Sequence, residues 1–349
     1  MNLLTTAFLA LTLAGGQQTW MYSYTVRAAY DGSRILGADY KTANLWDAKT
    51  GDLLYRLKQT DEDLGSVAFS LDGKFAATGP GMGGDIPSRH DNCVRVWDLQ
   101  TGKMYQRIEL TGNDFQFSPD GRQLLINSTW LWDIDARRFR FVFPGNHAQF
   151  SQDGSKILVG EYKQIVVWDL KTLKQLCRIE CPFSRYFFDS LELSKDGRHC
   201  LTACSDFVVR SWDCLTGDLL HEYRGHTTFL MGAGFISNDR KVACPSMDGK
   251  ILEWDALSGR VTREIKCRGP VEVVLLSPDG SRCLAACGEG VSLIDLDTGK
   301  ELGRYDRFVP ESEAAFAPDS KTFLILKDTA QIYDAGTGAL VRKLEYKKS

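Results

Sequence analysis

Short apolar segments separated by polar turns follow one another along almost the whole chain. Segments such as CVRVW, QIVVW and KILEW combine β-branched and aromatic residues in alternating or continuous apolar runs. Turn-forming pairs such as Asp-Gly and Thr-Gly lie between them. Because runs of this length between turn signals are typical of β-strands, the pattern predicts an all-β chain of many short strands.

These strands belong to a unit that repeats roughly every 40 residues. The third strand of each unit ends in Trp-Asp or a weaker copy, and successive copies are 51, 35, 36, 44, 42, 40 and 39 residues apart. The eight copies are Trp46-Asp47, Trp97-Asp98, Trp132-Asp133, Trp168-Asp169, Trp212-Asp213, Trp254-Asp255, Ile294-Asp295 and Tyr333-Asp334. A unit of this length with four short strands is characteristic of one blade of a β-propeller.

Two further turn signatures keep step with the repeat. Because Gly adopts positive φ without strain, Asp-Gly and Thr-Gly pairs predict tight turns between neighbouring strands. The first signature is found at Tyr30-Asp31-Gly32, Leu71-Asp72-Gly73, Pro119-Asp120-Gly121, Gln152-Asp153-Gly154, Lys195-Asp196-Gly197, Asn238-Asp239, Pro278-Asp279-Gly280 and Pro318-Asp319. The second is found at Thr50-Gly51, Thr101-Gly102, Thr216-Gly217, Ser258-Gly259, Thr298-Gly299 and Thr337-Gly338.

With these signatures in register, the sequence resembles the WD-repeat β-propeller family. The resemblance implies a closed ring of four-stranded blades around a central channel. It also implies a hydrogen-bonded tetrad of His226, Ser246, Asp248 and Trp254, in the one blade that carries Gly225-His226. The other blades lack this histidine and resemble copies that are held together by packing alone.

The repeats also predict the domain organisation. The resemblance covers residues 22–346, and eight complete units predict eight blades, with seven as the alternative if one weak copy packs irregularly. Residues 1–16 are interpreted as a signal peptide or a disordered N-terminus, and residues 17–349 as the propeller. The segment Gln17–Tyr22 is available as an extra closing strand. Because a propeller leaves only short, protected strand edges, we expect a monomer.

The N-terminus and the cysteines point to different compartments. Leu3–Ala14 is apolar and ends in small residues, which predicts export, but no Lys or Arg precedes it. The stretch is too short to span a bilayer, so we expect no stable membrane insertion. The ten cysteines favour the cytoplasmic alternative. Cys200 and Cys283 occupy equivalent repeat positions, and we expect both to pack between blades as small apolar residues.

Charge and motifs argue against several function classes. The chain has 42 Lys and Arg residues against 45 Asp and Glu residues, a net charge of −3, which is unlike a general nucleic-acid binder. The five histidines form no HExxH motif, and neither a GxSxG nor a P-loop motif is present. We therefore expect no metal, no cofactor and no enzymatic activity. The alternative is a small-molecule or hydrolytic site in the central channel, which a cluster of convergent polar groups there would favour.

Binding of a protein or peptide is then the expected function. In the family, the loops that join one blade to the next lie on the top face together with the turns between second and third strands. The insertion from Gly79 to Asn92 lengthens one of these turns, and loops on a rigid scaffold often carry function. Aromatic residues, Met and Arg are common at interfaces. We therefore assign partner binding to Tyr22, Arg89, His90, Arg185, Tyr186, Phe187, Phe229, Met231, Arg307 and Phe308.

Overall fold

The protein is an all-β, eight-bladed propeller. The computed structural model describes residues 28–39, 42–58, 64–80, 93–112, 114–145, 147–161, 163–181, 190–288, 290–306, 314–326 and 329–345. These residues form eight antiparallel sheets of four strands each and no helix. The predicted fold is confirmed, and the seven-bladed alternative is wrong because the two weakest repeats also form complete blades.

Each of the first four blades uses four strands that are consecutive in the chain. Blade 1 contains β1 (Ala28–Tyr30), β2 (Arg34–Asp39), β3 (Thr42–Asp47) and β4 (Leu53–Lys58), and blade 2 contains β5 (Leu64–Phe69), β6 (Phe75–Pro80), β7 (Val94–Asp98) and β8 (Lys103–Ile108). Blade 3 contains β9 (Phe115–Phe117), β10 (Gln123–Ile126), β11 (Trp130–Asp133) and β12 (Arg138–Val142), and blade 4 contains β13 (His147–Phe150), β14 (Lys156–Glu161), β15 (Gln164–Asp169) and β16 (Lys174–Glu180).

The other four blades repeat the same order. Blade 5 contains β17 (Ser190–Leu193), β18 (His199–Ala203), β19 (Val209–Asp213) and β20 (Leu219–Tyr223), and blade 6 contains β21 (Gly234–Ile236), β22 (Lys241–Ser246), β23 (Lys250–Asp255) and β24 (Val261–Lys266). Blade 7 contains β25 (Val271–Leu276), β26 (Arg282–Cys287), β27 (Gly290–Asp295) and β28 (Lys300–Asp306), and blade 8 contains β29 (Ala314–Phe316), β30 (Thr322–Leu326), β31 (Thr329–Asp334) and β32 (Leu340–Glu345).

Apolar packing between blade 8 and blade 1 closes the ring. Ile35 and Ala48 of blade 1 pack in one buried cluster with Ala315, Leu324 and Ile332 of blade 8. Since no described strand of one blade comes from the other end of the chain, side-chain packing rather than a shared sheet joins the two blades. The predicted closing strand at Gln17–Tyr22 and the segment 1–16 lie outside the described residues.

The same kind of cluster lies between neighbouring blades elsewhere, and cysteines take part in it. Cys200 and Cys214 pack between blades 4 and 5, and Cys283 and Cys287 pack between blades 6 and 7. Eight of the ten cysteines are buried, and none of the ten forms a disulfide bond. The prediction that the repeat-equivalent Cys200 and Cys283 act as small apolar residues is therefore confirmed.

The turn signatures act as the sequence predicts. The glycines of the two signatures have positive φ in nearly every blade, for example Gly73 at 65° and Gly51 at 83°. The first turn of blade 6 lacks this glycine, and Ser237, Asn238 and Asp239 adopt φ values of 54°, 56° and 62° instead.

The strand order fixes two faces of the ring. Because all eight innermost strands run in the same direction, the loops between blades and the turns between second and third strands share one face, the top face. The turns between first and second strands, and between third and fourth strands, share the bottom face. The insertion begins later than predicted, because Gly79 and Pro80 are the last residues of β6, and residues 81–92 lie outside the described residues.

Candidate functional site

Blade 6 holds a hydrogen-bonded cluster near the top face. His226 precedes the innermost strand, and its Nδ1 lies 2.9 Å from Asp248 Oδ2 in the turn between β22 and β23. Its Nε2 lies 2.9 Å from the carbonyl oxygen of Cys244, and the ring meets Trp254 edge to face at 5.7 Å. Asp248 Oδ2 also accepts a hydrogen bond from the backbone N–H of Thr227. The cluster therefore fixes the loop that enters blade 6.

The predicted tetrad is formed only in part, because Ser246 does not occupy the tetrad position. Ser246 Oγ donates to the carbonyl oxygen of Phe229 (2.9 Å), and Trp254 Nε1 donates to the carbonyl oxygen of Arg224 (3.1 Å). In blades 2 and 5 the corresponding indole N–H groups, of Trp97 and Trp212, donate to threonine hydroxyls at 2.9 and 3.0 Å.

The strand register explains this difference. Trp254 pairs with Val242, Trp212 with Cys200 and Trp97 with Ala76. Two residues beyond these partners lie Cys244, Thr202 and Thr78, so Cys244 occupies the hydroxyl position in blade 6. The assignment of Ser246 is off by two residues, which keeps the same face of the strand but moves the hydroxyl to the end of β22.

An aromatic pair lies on the top face between blades 5 and 6. The rings of Phe207 and Phe229 meet edge to face at 5.7 Å, and Phe229 is 46% exposed. Phe207 lies in the turn between the second and third strands of blade 5 and has a φ of 65°. Counted back from the third-strand tryptophan, it occupies the position of Gly249 in blade 6, whose φ is 82°. A bulky residue in this conformation is a strained outlier.

Of the ten predicted partner-binding residues, the structure describes two. Phe229 is exposed on the top face. Met231 is only 5% exposed, because its backbone N–H pairs with the carbonyl oxygen of Pro245 at the end of β22 and its side chain turns inward. The side chain of Met231 is therefore buried and does not belong to the exposed surface. Tyr22, Arg89, His90, Arg185, Tyr186, Phe187, Arg307 and Phe308 lie outside the described residues.

Polar side chains converge in the central channel, which the sequence did not predict. Three equivalent positions on the innermost strands of blades 3, 4 and 5 carry Gln116, Gln149 and Glu192. These three residues line two neighbouring cavities, both of which are open to solvent. Asp114, Ser128 and His147 complete the polar wall of the smaller cavity. This cavity lies at the top end of the channel, where the innermost strands begin.

The local geometry of this wall is set by a strained turn. Asn127 and Ser128, between β10 and β11, both have positive φ, of 52° and 54°. This turn directs Ser128 Oγ to Asp114 Oδ2, to which it donates at 2.7 Å. Ser128, His147 and Asp114 are the residue types of a hydrolytic triad, but the described contacts contain no hydrogen bond from Ser128 to His147. A serine whose proton is held by a carboxylate lacks the base that activates it.

The environment of the channel changes the ionisation of two groups. Burial raises the pKa of Glu192 to about 8, against the effect of a hydrogen bond from the side chain of Gln149, and the charge of Asp239 raises it further. Burial lowers the pKa of His147, although the nearby carboxylate of Asp114 opposes this. Within the described ranges, no group of three or more His, Cys, Asp or Glu side chains is arranged to hold a metal ion.

A family model described as "WD domain, G-beta repeat" matches residues 51–98 and 217–255. Two segments of this eight-bladed propeller therefore match WD repeats. The second match contains the whole blade 6 cluster, and the first contains the third strand of blade 2 with the Trp97–Thr78 hydrogen bond.

Two curated proteins are similar in sequence to parts of this propeller. COMPASS component SWD3 of Saccharomyces cerevisiae is 28% identical over 172 residues, which are 45% of this chain and 54% of that protein. Serine-threonine kinase receptor-associated protein of Gallus gallus is 25% identical over 248 residues, which are 67% of this chain and 66% of that protein. The chain thus spans between about half and just under two thirds of the length of these relatives.

Solved structures show the same fold at low sequence identity. The C-terminal WD40 domain of Sif2 superposes with a TM-score of 0.69 at 16% identity, covering 86% of this chain and 92% of that one. The computationally designed Ika8 protein superposes with a TM-score of 0.64 at 18% identity, covering 92% and 96%. At these identities the likeness concerns the propeller fold alone. None of the described residues forms a helix of the length and apolarity that crossing a membrane requires.

Sequence reasoning missed Phe207 as a surface residue of the propeller, although a signal was present. Blade 6 reads Met247-Asp248-Gly249 in this turn, and blade 5 reads Ser205-Asp206-Phe207. An aromatic residue that replaces the glycine of a repeated turn is a departure that the alignment of the repeats alone would have revealed.

Proposed function

We propose that the propeller binds a protein or peptide partner through its top face, at a surface centred on Phe207 and Phe229. The names of both relatives describe association with other proteins: one is a component of COMPASS, and the other is a receptor-associated protein. The proposal extends only that general property, a WD-repeat scaffold for protein interaction, to this chain.

The strained position of Phe207 is the observation that carries the proposal. Left-handed backbone costs a non-glycine residue about 1–2 kcal/mol, and such strain persists mainly where it serves a function. Here it keeps a half-buried aromatic ring beside the exposed ring of Phe229. Aromatic side chains of this kind are frequent binding hot spots.

The blade 6 cluster prepares this surface for binding. Asp248 holds His226 and Thr227, and Ser246 Oγ binds the carbonyl oxygen of Phe229. The backbone that presents Phe229 is therefore fixed before a partner arrives, which reduces the ordering cost of association.

The cysteines support an intracellular location for this function. None of the ten forms a disulfide bond, and a chain exposed to an oxidising compartment usually pairs its cysteines. Between the two compartments that the sequence leaves open, we therefore favour the cytoplasmic alternative over export.

Affinity capture with variants of the full chain tests the proposal. The test variant carries Phe207→Asn and Phe229→Ala, and the control carries Leu257→Asn, which removes an 85% exposed side chain from the bottom face. Proteins retained by the wild type and by the control, but lost with the test variant, support binding at the aromatic pair. If the test variant retains the same proteins in the same amounts, the proposed surface is wrong.

A further inference from the structure

The top end of the central channel contains a buried hydrogen-bond acceptor that no described donor satisfies. Gln149 Oε1 is buried and has no hydrogen-bond partner among the described residues, while the side chain of Gln149 also contacts the Glu192 carboxyl. The carboxylate of Asp114 lines the same cavity, and one of its oxygens accepts the hydrogen bond from Ser128. Because a buried acceptor without a donor is costly, the cavity favours an occupant that supplies N–H or O–H groups.

The charges of the wall restrict the occupant further. The residues that line this cavity include two acidic side chains, Asp114 and Glu192, and no Lys or Arg. Burial lowers the pKa of His147, so its imidazole is neutral near pH 7. The apolar side chains of Leu125 and Leu191 form another part of the wall. A cation that carries several N–H donors and a short apolar chain matches this combination of groups.

We propose that the top end of the channel binds a small primary amine in its alkylammonium form, with the ammonium group between Asp114, Gln149 and Glu192. The three N–H donors of an ammonium group satisfy the free acceptor of Gln149 and both carboxyl groups. The alkyl chain lies against the apolar wall. The site is separate from the aromatic pair, so the amine site and the partner-binding surface fail or succeed independently.

Binding of an alkylammonium ion is coupled to the ionisation of Glu192. Burial raises the pKa of Glu192 to about 8, so the carboxyl group is mostly neutral at pH 7. A cation favours the charged carboxylate. Binding therefore releases a proton, and the affinity rises between pH 7 and pH 9, where the amine itself remains protonated.

The other titratable groups around Glu192 do not produce this pH dependence. His147 is already neutral over the range, because burial lowers its pKa. Asp239 and Lys195 line the other cavity, and burial raises the pKa of Asp239. The backbone N–H of Lys195 donates to Asp239, and its ammonium group donates to Asn238. The rise in affinity is thus expected to disappear in Glu192→Gln.

Isothermal titration calorimetry of the full chain with n-butylammonium tests the site. We expect saturable binding at one site, and about tenfold or greater weakening in Asp114→Asn and in Glu192→Gln, since each removes a charge-assisted hydrogen bond. The control Asp297→Asn removes an exposed carboxylate from the bottom face and leaves binding unchanged. Butanol and tetramethylammonium, which lack either the charge or the N–H donors, do not bind.

Several results would overturn the proposal. The wild type shows no saturable binding of n-butylammonium, or tetramethylammonium binds as well as n-butylammonium does. Equal affinities of Asp114→Asn, Glu192→Gln and Asp297→Asn, all with thermal unfolding like that of the wild type, place any binding elsewhere.

Discussion

At the scale of single residues, the top face contains side chains whose local conformation or ionisation differs from what their residue type prefers. Phe207 takes a backbone conformation that its neighbour repeat gives to glycine. Glu192 is held in the channel with a raised pKa. Unfavourable local states of this kind concentrate at functional sites, because the surrounding fold compensates for them.

Replacement of Phe207 by Asn is expected to stabilise the propeller. Asn adopts the left-handed conformation with much less strain than Phe, so the free energy of unfolding rises by about 0.5–1 kcal/mol, even though the contact with Phe229 is lost. Urea unfolding followed by fluorescence measures the change. A fall in the free energy of unfolding of more than about 1 kcal/mol would mean that Phe207 serves packing and not binding.

The ionisation of Glu192 makes stability depend on pH. Its pKa is about 8 in the folded protein against 4.5 for the unperturbed group, so the folded state binds more protons and loses stability as pH rises from about 4.5 through 8. Glu192→Gln removes this loss. Between pH 5 and pH 8, the free energy of unfolding of the variant is therefore expected to rise relative to that of the wild type by an amount on the order of 1–3 kcal/mol. Urea unfolding at both pH values tests this, with the exposed Glu180→Gln as control. Equal pH dependence in all three proteins would refute the ionisation assigned to Glu192.

At the scale of the strands and turns, the sequence predicts most of the architecture, because the repeat consists of residues with strong conformational preferences. Trp-Asp, Asp-Gly and Thr-Gly mark where strands end and where positive φ is needed. The innermost strands carry weaker signals, since β9, β21 and β29 have only three residues each. In β9, β13 and β17 the polar residues fit the usual alternation of apolar and polar positions in a strand. Their convergence in one channel appears only when the blades form a ring.

The register of the second strand was harder to predict than its existence. Ser246 and Cys244 lie on the same face of β22, so alternation does not distinguish them. Pairing with the third strand does, because Thr78 and Thr202 occupy the position of Cys244 relative to the tryptophan. A hydroxyl there receives the indole N–H in blades 2 and 5.

Thr202→Val tests the role of that hydroxyl in blade 5. The substitution preserves shape but leaves the buried Trp212 Nε1–H without its acceptor, so the free energy of unfolding falls by about 1–3 kcal/mol. The exposed Thr227→Val serves as control and changes stability by less than about 0.5 kcal/mol. Similar effects of the two substitutions in urea unfolding would show that the indole hydrogen bond does not stabilise the blade.

The aspartates at the ends of the third strands make the stability of the protein depend on pH in the acid range. Hydrogen bonds from the following Thr or Ser lower the pKa of Asp47, Asp98, Asp169, Asp213, Asp255 and Asp334. Their contribution to stability is present above the unfolded value of 3.8 and is lost as pH falls through the lower folded values. Asp213→Asn is therefore expected to reduce the loss of stability between pH 4 and pH 2. An unchanged pH profile of the free energy of unfolding in that range would contradict this.

At the scale of the whole molecule, a ring whose described strands include no shared closing sheet presents two different features on one face. The aromatic pair lies between blades 5 and 6, and the acidic end of the channel lies on blades 3 to 5. Packing between blade 8 and blade 1 holds both in place, because it prevents the ring from opening. The sequence predicts the ring but not the position of these features, which depends on how non-adjacent repeats meet.

Hydrogen–deuterium exchange of the propeller, free and bound to a captured partner, tests the central claim most directly. We expect the partner to slow exchange in residues 204–209 and 226–234, the two segments that present Phe207 and Phe229, and to leave the turns of the bottom face unchanged. Protection confined to the bottom-face turns, such as residues 255–260, would contradict a top-face binding surface.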